Sequence, residues 1–332
     1  MERKEYCTSC REFNEYDIKT ERRSQIMKGK EYFYNIDVLY CKNCGEEIDV
    51  VGGFEKEIEL FDKAYRQTEN IISIKKIKDI CELYDVGKAP LSLVLGFGEV
   101  TITRYLEGQI PSKSYSDILN KVLADPYYME ELLNENRSKI SNAAATKIEK
   151  AINELKKVVK LSIKLRATIA AIFDRIEVTP LALQKILYFI QSIHLGRYNK
   201  PIFNEDCEAW AHGPVYREVY DIFKTFKYNP IDDSRFTMLT NIEDELSKEE
   251  IEIINLVLDS YGCYSAKVLE IITHNEEPWI NTRKGLDEMQ PSSRIISKDL
   301  MRNYYKSVEE KEPFITKQNI YNYISKKTGI SI

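Results

Sequence analysis

The sequence predicts a mainly α-helical protein with a small β-rich module at its N-terminus. Four cysteines and an aromatic, alternating stretch lie within the first 55 residues, a pattern that favours β structure. Beyond them, apolar residues recur every three or four positions, which indicates amphipathic helices. A chain of 332 residues is too long for one ordinary core. We therefore predict four segments, at 1–55, 56–125, 126–176 and 177–332.

The overall composition limits the class of protein. The formal net charge of -5 argues against a general coat for nucleic acid, although a local basic face remains compatible with it. The N-terminus lacks an apolar signal segment, and no stretch of about 18 apolar residues occurs, so we expect a cytoplasmic protein that contacts no membrane. Cys81, Cys207 and Cys263 are scattered, which favours reduced thiols over disulfides.

The first segment carries two C-x-x-C pairs, Cys7 with Cys10 and Cys41 with Cys44. Two such turns supply the four thiolates of a tetrahedral zinc site, and YFYNIDVLYC predicts a strand that leads into the second pair. A shell of four thiolates leaves no open position for water, so we expect Zn²⁺ to be structural. The sequence leaves open whether this zinc ribbon also contacts a partner protein or nucleic acid.

The second segment predicts a helical bundle with a helix-turn-helix. FEKEIELFDKAYRQTE and SIKKIKDICELYD show helical spacing. APLSLVLGF and GEVTITRYLEGQIPS predict two short helices joined by a turn that contains Gly96 and Gly98. In the second of these helices, Ile102 and Tyr105 are expected to pack inward.

The run LVLGFGEVTITRYLEGQIPS resembles the second and third helices of the Xre/Cro repressors. Their recognition helix commonly has Thr-Ile-Ser/Thr-Arg-Tyr/Trp-Glu-x-Gly, and the chain departs from this pattern at Leu106. The resemblance implies that this helix contacts operator DNA, as small outward threonines and an arginine would allow. The predicted DNA-binding residues are Glu99, Thr101, Thr103, Arg104, Gln109 and Lys113.

A protein-binding scaffold is the alternative for this bundle. Residues 73–123 contain seven Lys or Arg and six Asp or Glu, so the electrostatic attraction to DNA is small. We favour DNA binding, and we expect a homodimer because a twofold protein matches a palindromic operator.

Residues 126–176 predict a long linker helix. Between Lys139 and Arg166, eight Lys or Arg accompany two Glu, which creates a basic face. This face is expected to be solvated. The alternatives are contact with a DNA backbone or pairing with the acidic stretch at 243–252.

The fourth segment predicts a mostly helical domain. Pro180 after Thr179 begins a helix that Gly196 is expected to end, and Gly213 with Pro214 predicts a turn before a helix at 215–226. Trp210 is expected to be a core anchor whose indole N–H reaches a carbonyl.

This segment resembles the Panacea domain of SocA-like antitoxins through LQKILYFIQSIHL, EAWAHGPVYREVYD and THNEEPWINTR. The resemblance implies neutralisation of a protein toxin by direct binding. The residues that carry the motif, or that contact the toxin, are Lys185, Tyr188, Trp210, His212, Gly213, Pro214, Tyr220 and Trp279. The N-terminal half resembles zinc-binding, helix-turn-helix antitoxins of the MqsA type through its C-x-x-C pairs, YCKNCGEEI and the repressor-like helix.

We therefore predict an antitoxin that also regulates its own operon, and no enzyme. Cys207, His212, Cys263 and His274 lack the spacing and the orienting residue of a thiol protease or a second metal site. Two alternatives remain: a transcription regulator without a toxin, and an adaptor that delivers proteins to a protease.

Overall fold

The computed structural model describes residues 4–329. The chain is mostly helical and has an antiparallel sheet at its N-terminus, as the sequence predicts. It separates into two compact units. The first contains the chain up to Ala124 together with Glu131–Ala144, and the second contains Asp125–Glu130 and the chain from Ala145 onward. The predicted division into four segments stays a prediction.

A long β-hairpin dominates the start of the first unit. The hairpin belongs to a four-stranded sheet of β1 Lys4–Cys7, β2 Glu12–Met27, β3 Lys30–Cys41 and β4 Glu47–Ile48, in that order, and β2 and β3 are its two long strands. The predicted strand before the second cysteine pair is confirmed as β3. On this strand buried and exposed residues alternate, from Tyr32 to Val38, because helix α1, Gly53–Thr68, packs against one face.

Four helices follow in the first unit: α2 Ile74–Leu83, α3 Lys88–Val94, α4 Thr101–Leu106 and α5 Lys113–Ala124. The turn between α3 and α4 contains Gly96 in the left-handed region, with φ of 73°. Ser92 fixes the turn, because its hydroxyl donates to the Lys88 carbonyl and accepts from the backbone N–H of Ile102, each at 3.0 Å. The predicted pair of short helices is confirmed.

The prediction of one long linker helix is wrong. Residues 126–176 form α6 Pro126–Asn136, a 3₁₀ turn at Arg137–Lys139, α7 Asn142–Val159 and α8 Ile163–Arg175. Ser162 caps α8, since its hydroxyl accepts from the backbone N–H of Leu165, and this new start interrupts the helical pattern.

Part of the basic face of this segment is paired within the second unit. Lys164 contacts Glu250 at 2.6 Å, as the alternative of pairing with the acidic stretch predicts. Lys156 contacts Glu130 at 2.6 Å, and Lys157 contacts Glu154 at 2.7 Å. These ion pairs leave less of the basic charge for a DNA backbone.

Helix α9, Pro180–Tyr198, is the centre of the second unit and is buried from Ala182 to Leu195. Thr179 caps it and Pro180 occupies its first turn, as predicted. Gly196 does not end the helix. A Cβ at Gly196 would lie 2.7 Å from the Cβ of Tyr305, so glycine is required here for the close approach of another helix.

The remaining elements surround α9. In chain order they are β5 Cys207–Trp210, β6 Gly213–Val215, α10 Arg217–Phe223, α11 Arg235–Leu239, α12 Ile242–Glu245, α13 Lys248–Tyr261, α14 Ala266–His274, α15 Glu277–Arg283, β7 Ile295–Ile296, α16 Lys298–Lys311 and α17 Lys317–Thr328. Strand β5 pairs with both β6 and β7. Among the described residues, no helix has the length and apolar character needed to cross a membrane.

The β5–β6 hairpin corrects the predicted turn and the helix after it. Gly213 and Pro214 lie in β6, and the chain turns one step earlier, at Ala211 and His212. The following helix begins at Arg217, because Tyr216 is still extended.

Candidate functional sites

The four N-terminal cysteines form a cluster in which all Sγ atoms lie within 4.8 Å of one another. Cys7 is 3.5 Å from Cys44, and Cys10 is 3.8 Å from Cys41. A tetrahedral zinc ion with Zn–S bonds of about 2.3 Å places its sulfurs roughly 3.8 Å apart. The cluster therefore has the donor set and the size for zinc.

Hydrogen bonds around the cysteines shift the pKa values of Cys41 and Cys10 in opposite directions. The backbone N–H of Cys10 donates to the Cys7 sulfur, and the Asn43 amide donates to the Cys10 sulfur, both at 3.4 Å. Hydrogen bonding from the Cys44 backbone lowers the pKa of Cys41 to about 7. The hydrogen bond with the Cys44 thiol raises the pKa of Cys10 to about 12. Binding of a cation to the cluster would displace the thiol protons.

The predicted DNA-binding residues lie along one short stretch of the first unit. Ile102 and Tyr105 of α4 are buried, whereas Arg104 and Glu99 are exposed and Thr101 and Thr103 are half-buried. Gln109 is exposed beyond the helix. Lys113 lies at the start of α5, and its ammonium is paired with the Asn70 carbonyl and with Asp117, at 3.1 and 3.0 Å.

A second set of predicted residues meets at the β5–β6 hairpin. Lys185, on α9, is fully buried, and its ammonium donates to the Pro214 carbonyl at 3.0 Å. Burial lowers the pKa of Lys185 to about 7. A Cβ at Gly213, where φ is 95°, would lie 2.8 Å from the Lys185 Cε and from the Thr273 hydroxyl. Glycine is therefore required where the hairpin passes over the lysine.

Tyr188 lies one turn further along α9 and belongs to a buried network around Glu276. One carboxylate oxygen of Glu276 accepts from the Tyr188 hydroxyl at 2.9 Å. The other accepts from Tyr305 and Tyr323, each at 2.8 Å. Burial nevertheless raises the pKa of Glu276 to about 7, against the lowering effect of these hydroxyls. The network joins α9, α16 and α17 to the start of α15.

The two tryptophans of the chain are joined at the same hairpin. The Trp279 indole N–H donates to the Trp210 carbonyl at 2.9 Å. The Trp279 ring stacks on His274, with ring centres 3.9 Å apart, and has the guanidinium of Arg283 at 5.2 Å. Arg283 in turn donates to the Ala209 carbonyl at 3.0 Å. Helix α15 is thereby fixed to strand β5.

Trp210 is half-buried, so its predicted place in the core is wrong. Its indole N–H donates to the Glu208 carboxylate at 2.7 Å, where the sequence predicted a carbonyl partner. Arg217 binds the same carboxylate with two N–H groups and lies 5.2 Å from the Trp210 ring. Although burial raises the pKa of Glu208, Arg217 and Trp210 hold it below its usual value. Tyr220 contacts the ring edge to face, with centres 4.8 Å apart.

His212 lies at the tip of the hairpin with 60 % of its side chain exposed. Its Nδ1 is 3.2 Å from the carboxylate of Glu270, which is almost fully buried. A groove of about 540 Å³ opens beside it. The groove is lined by Trp210, Ala211, His212, Arg217, Met289, Pro291, Ser292 and Ser293.

Residues 183–280 match the antitoxin SocA-like family, Panacea domain. The three sequence segments that resemble this domain lie on α9, on the β5–β6 hairpin with the start of α10, and at the α14–α15 junction. They contact one another at the hairpin. The resemblances to Xre/Cro repressors and to MqsA-type antitoxins stay predictions. No curated protein and no solved structure matches the chain.

The Panacea domain also contains functional candidates that the sequence reasoning missed. Glu208, Arg217, Glu270 and, just beyond the matched residues, Arg283 contact the hairpin, and Glu276 is the centre of the tyrosine network. Apart from Glu270, they lie inside the motifs EAWAHGPVYREVYD and THNEEPWINTR, where charged residues resemble ordinary surface positions.

Burial moves the pKa of Cys207 and the pKa of His274 away from neutrality. Burial raises the pKa of Cys207 to about 12, so it is a protonated thiol at neutral pH. Burial also lowers the pKa of His274 to about 4, and its ring is stacked on Trp279.

Proposed function

We propose that this protein is an antitoxin that neutralises a protein toxin by direct binding through its Panacea domain. The observation that carries the proposal is the match of residues 183–280 to the antitoxin SocA-like family. The geometry supports the proposal, because motif residues from separate helices contact one hairpin and the groove beside it.

The motif residues divide into a buried framework and an exposed rim. Lys185 and Trp279 are buried and donate to carbonyls of the hairpin, and Glu276 is buried in the adjoining tyrosine network. Arg217 of the motif is 49 % exposed at the groove, and Met289, a groove residue outside the motifs, is 61 % exposed. An aromatic ring flanked by an arginine is the chemistry that dominates many protein interfaces. We assign the toxin contact to this groove.

Growth of cells that express the toxin tests the proposal. The candidate toxin is the product of the neighbouring reading frame, expressed alone and together with this protein. We expect growth to stop in the first case and to recover in the second. A regulator without a toxin, or a protease adaptor, would leave growth unchanged by either expression.

Autoregulation through α3 and α4 is a second proposed activity. It is supported by α4, which buries Ile102 and Tyr105 and leaves Arg104 exposed to solvent. In this proposal the two helices act as a helix-turn-helix, and α4 enters the major groove of operator DNA. A shift assay with the upstream DNA tests it, since specific binding must weaken with added salt. A protein-binding scaffold would give no specific band.

We propose that Zn²⁺ holds the N-terminal ribbon through Cys7, Cys10, Cys41 and Cys44. The cluster leaves no position for a reacting water, so the role of the metal is to stabilise the fold. The base of the hairpin has a small core of its own, in which Cys7, Cys41 and Ile48 are the buried residues.

A further inference from the structure

Strand β2 has one unpaired edge over Tyr16–Met27. β1 pairs with Glu12–Glu15, and β3 pairs with all twelve residues from Tyr16 to Met27. Within residues 4–329, no further strand pairs with this stretch. Helix α1 packs on β3, through Tyr32 and the hydrogen bond between Tyr34 and Glu57, so it leaves the β2 edge open. A row of free backbone donors and acceptors is a template for another strand.

Side chains on one face of this edge alternate in charge. They are Asp17, Lys19, Glu21 and Arg23. Charged residues on an edge strand commonly prevent pairing with other chains. Alternating signs, however, become complementary when a second identical strand runs antiparallel to the first.

We propose that this edge pairs with the same edge of a second copy of the chain, antiparallel and centred on Thr20. In this arrangement Lys19 lies opposite Glu21 of the second copy, and the twofold axis repeats the pair. Asp17 likewise lies opposite Arg23 of the second copy. The two hairpins then form one continuous sheet, with both α1 helices on the same side.

Charge selects this register over its neighbours. A shift of two residues in one direction places Glu21 opposite its own copy and Lys19 opposite Arg23. A shift in the other direction places Lys19 opposite its own copy and Asp17 opposite Glu21. Both shifts set like charges against each other, which destabilises a pair of strands. A shift of four residues in one direction sets Arg22 opposite its own copy. In the other direction it sets Asp17 opposite Lys19, but only residues 16–20 of the free edge are then paired, against residues 16–24 in the proposed register.

The two kinds of ion pair do not contribute equally. Arg23 already contacts Glu21, Glu47 and Glu57, at 3.4, 2.8 and 3.6 Å, so a further carboxylate adds little. Glu21 also accepts a hydrogen bond from the Tyr40 hydroxyl, whereas Lys19 lies 4.7 Å from the Tyr40 ring and gains a carboxylate only from the second copy. The Lys19–Glu21 pair is therefore the decisive one.

The other face of the edge supplies apolar contact. Ile18, 53 % exposed, lies opposite Arg22 of the second copy. Arg22 covers the ring of Phe33, with the guanidinium 4.4 Å from the ring centre. Pairing would cover Ile18 and part of Phe33, which is 48 % exposed.

Charge reversal tests the interface by sedimentation equilibrium of the zinc-loaded full chain. We expect the wild type to dimerise, and Lys19→Glu and Glu21→Lys each to weaken dimerisation by about tenfold or more. An equimolar mixture of the two variants should regain a dimer, because each Glu then faces a Lys. Lys63→Glu on α1 is the matched control and should dimerise like the wild type.

The mixture separates a lost interface from a lost fold, since a misfolded variant cannot be rescued by its complement. A monomeric wild type would overturn the proposal. So would dimers that persist in both single variants, or a mixture that stays monomeric.

Discussion

The indole N–H of Trp279 donates a hydrogen bond to the backbone carbonyl of Trp210, at 2.9 Å. This bond joins a helix and a strand that are 69 residues apart in the chain. It satisfies a carbonyl next to the groove, while the Trp210 ring remains half-exposed. The buried Trp279 thus positions the half-buried Trp210. Both tryptophans of the chain lie in the Panacea domain, so tryptophan fluorescence reports on this domain alone.

Gly213→Ala should destabilise the Panacea domain by about 3 kcal/mol or more. Alanine would have to adopt a left-handed φ, which is strained for a residue with a Cβ. Its Cβ would also overlap Lys185 and Thr273, which are both buried in the core. Gly285→Ala is the matched control, since φ is 84° and no atom lies within 4 Å. It should cost only about 1 kcal/mol. Urea unfolding followed by tryptophan fluorescence measures both, and equal losses would contradict the close approach.

Glu276→Gln should change the pH dependence of Panacea domain stability. The pKa of Glu276 is raised from 4.5 to about 7, so the folded state holds this proton more tightly than the unfolded state. The resulting stability is present below pH 4.5 and is lost as the pH rises through 7. Glutamine does not titrate, and Tyr188 can accept from its amide.

Relative to the wild type, Glu276→Gln should therefore gain stability between pH 4.5 and 7, by up to about 3 kcal/mol. Urea unfolding at several pH values gives this difference, and Lys185 titrates in both proteins, so its contribution cancels. A difference that stays constant over this range would contradict a raised pKa.

Cys41→Ser should release zinc and unfold the ribbon. Removing one of four thiolates leaves an incomplete shell, and the small core at the base of the hairpin cannot replace the lost metal bonds. Zinc content by atomic absorption should fall to near zero. Cys81→Ser, which changes a thiol outside the cluster, should keep one zinc per chain. Equal zinc content in the two variants would contradict the assignment of the zinc site to these cysteines.

Arg104→Ala should weaken operator binding by about 1 to 3 kcal/mol and leave toxin neutralisation intact. Arg104 is exposed on α4, so its removal does not disturb Ile102 or Tyr105 in the core. A titrated shift assay gives the affinity, and the growth assay gives neutralisation. Loss of both activities together would refute the division of labour between the units.

The sequence predicted the parts whose signals are local. The cysteine pairs, strand β3, the Thr179 cap and the two short helices around Gly96 follow from spacing and turn chemistry. Strand β2 was missed because both of its faces are largely exposed, so it lacks the alternation that marks β3. The break at Ser162 was missed because the apolar spacing continues through it.

The candidate site was predicted only in part, because its chemistry depends on long-range contacts. Lys185 and Tyr188 were named from their motif, but neither Glu276 nor the Pro214 carbonyl is adjacent to them in sequence. Trp210 was placed in the core because burial of tryptophan is the usual case. Its partner Arg217, seven residues later, lies 5.2 Å from the ring of the half-buried Trp210.

The binding of purified toxin to this protein tests the central claim most directly. Met289→Asp introduces a charge at the groove, and Ile315→Asp does so at another exposed position, with starting exposures of 61 % and 75 %. By isothermal titration calorimetry, we expect the wild type and Ile315→Asp to bind the toxin equally. Met289→Asp should bind at least about tenfold more weakly, as for a buried interface residue. Undiminished binding by Met289→Asp would contradict the assignment of the toxin to this groove, and no binding by the wild type would contradict the antitoxin function itself.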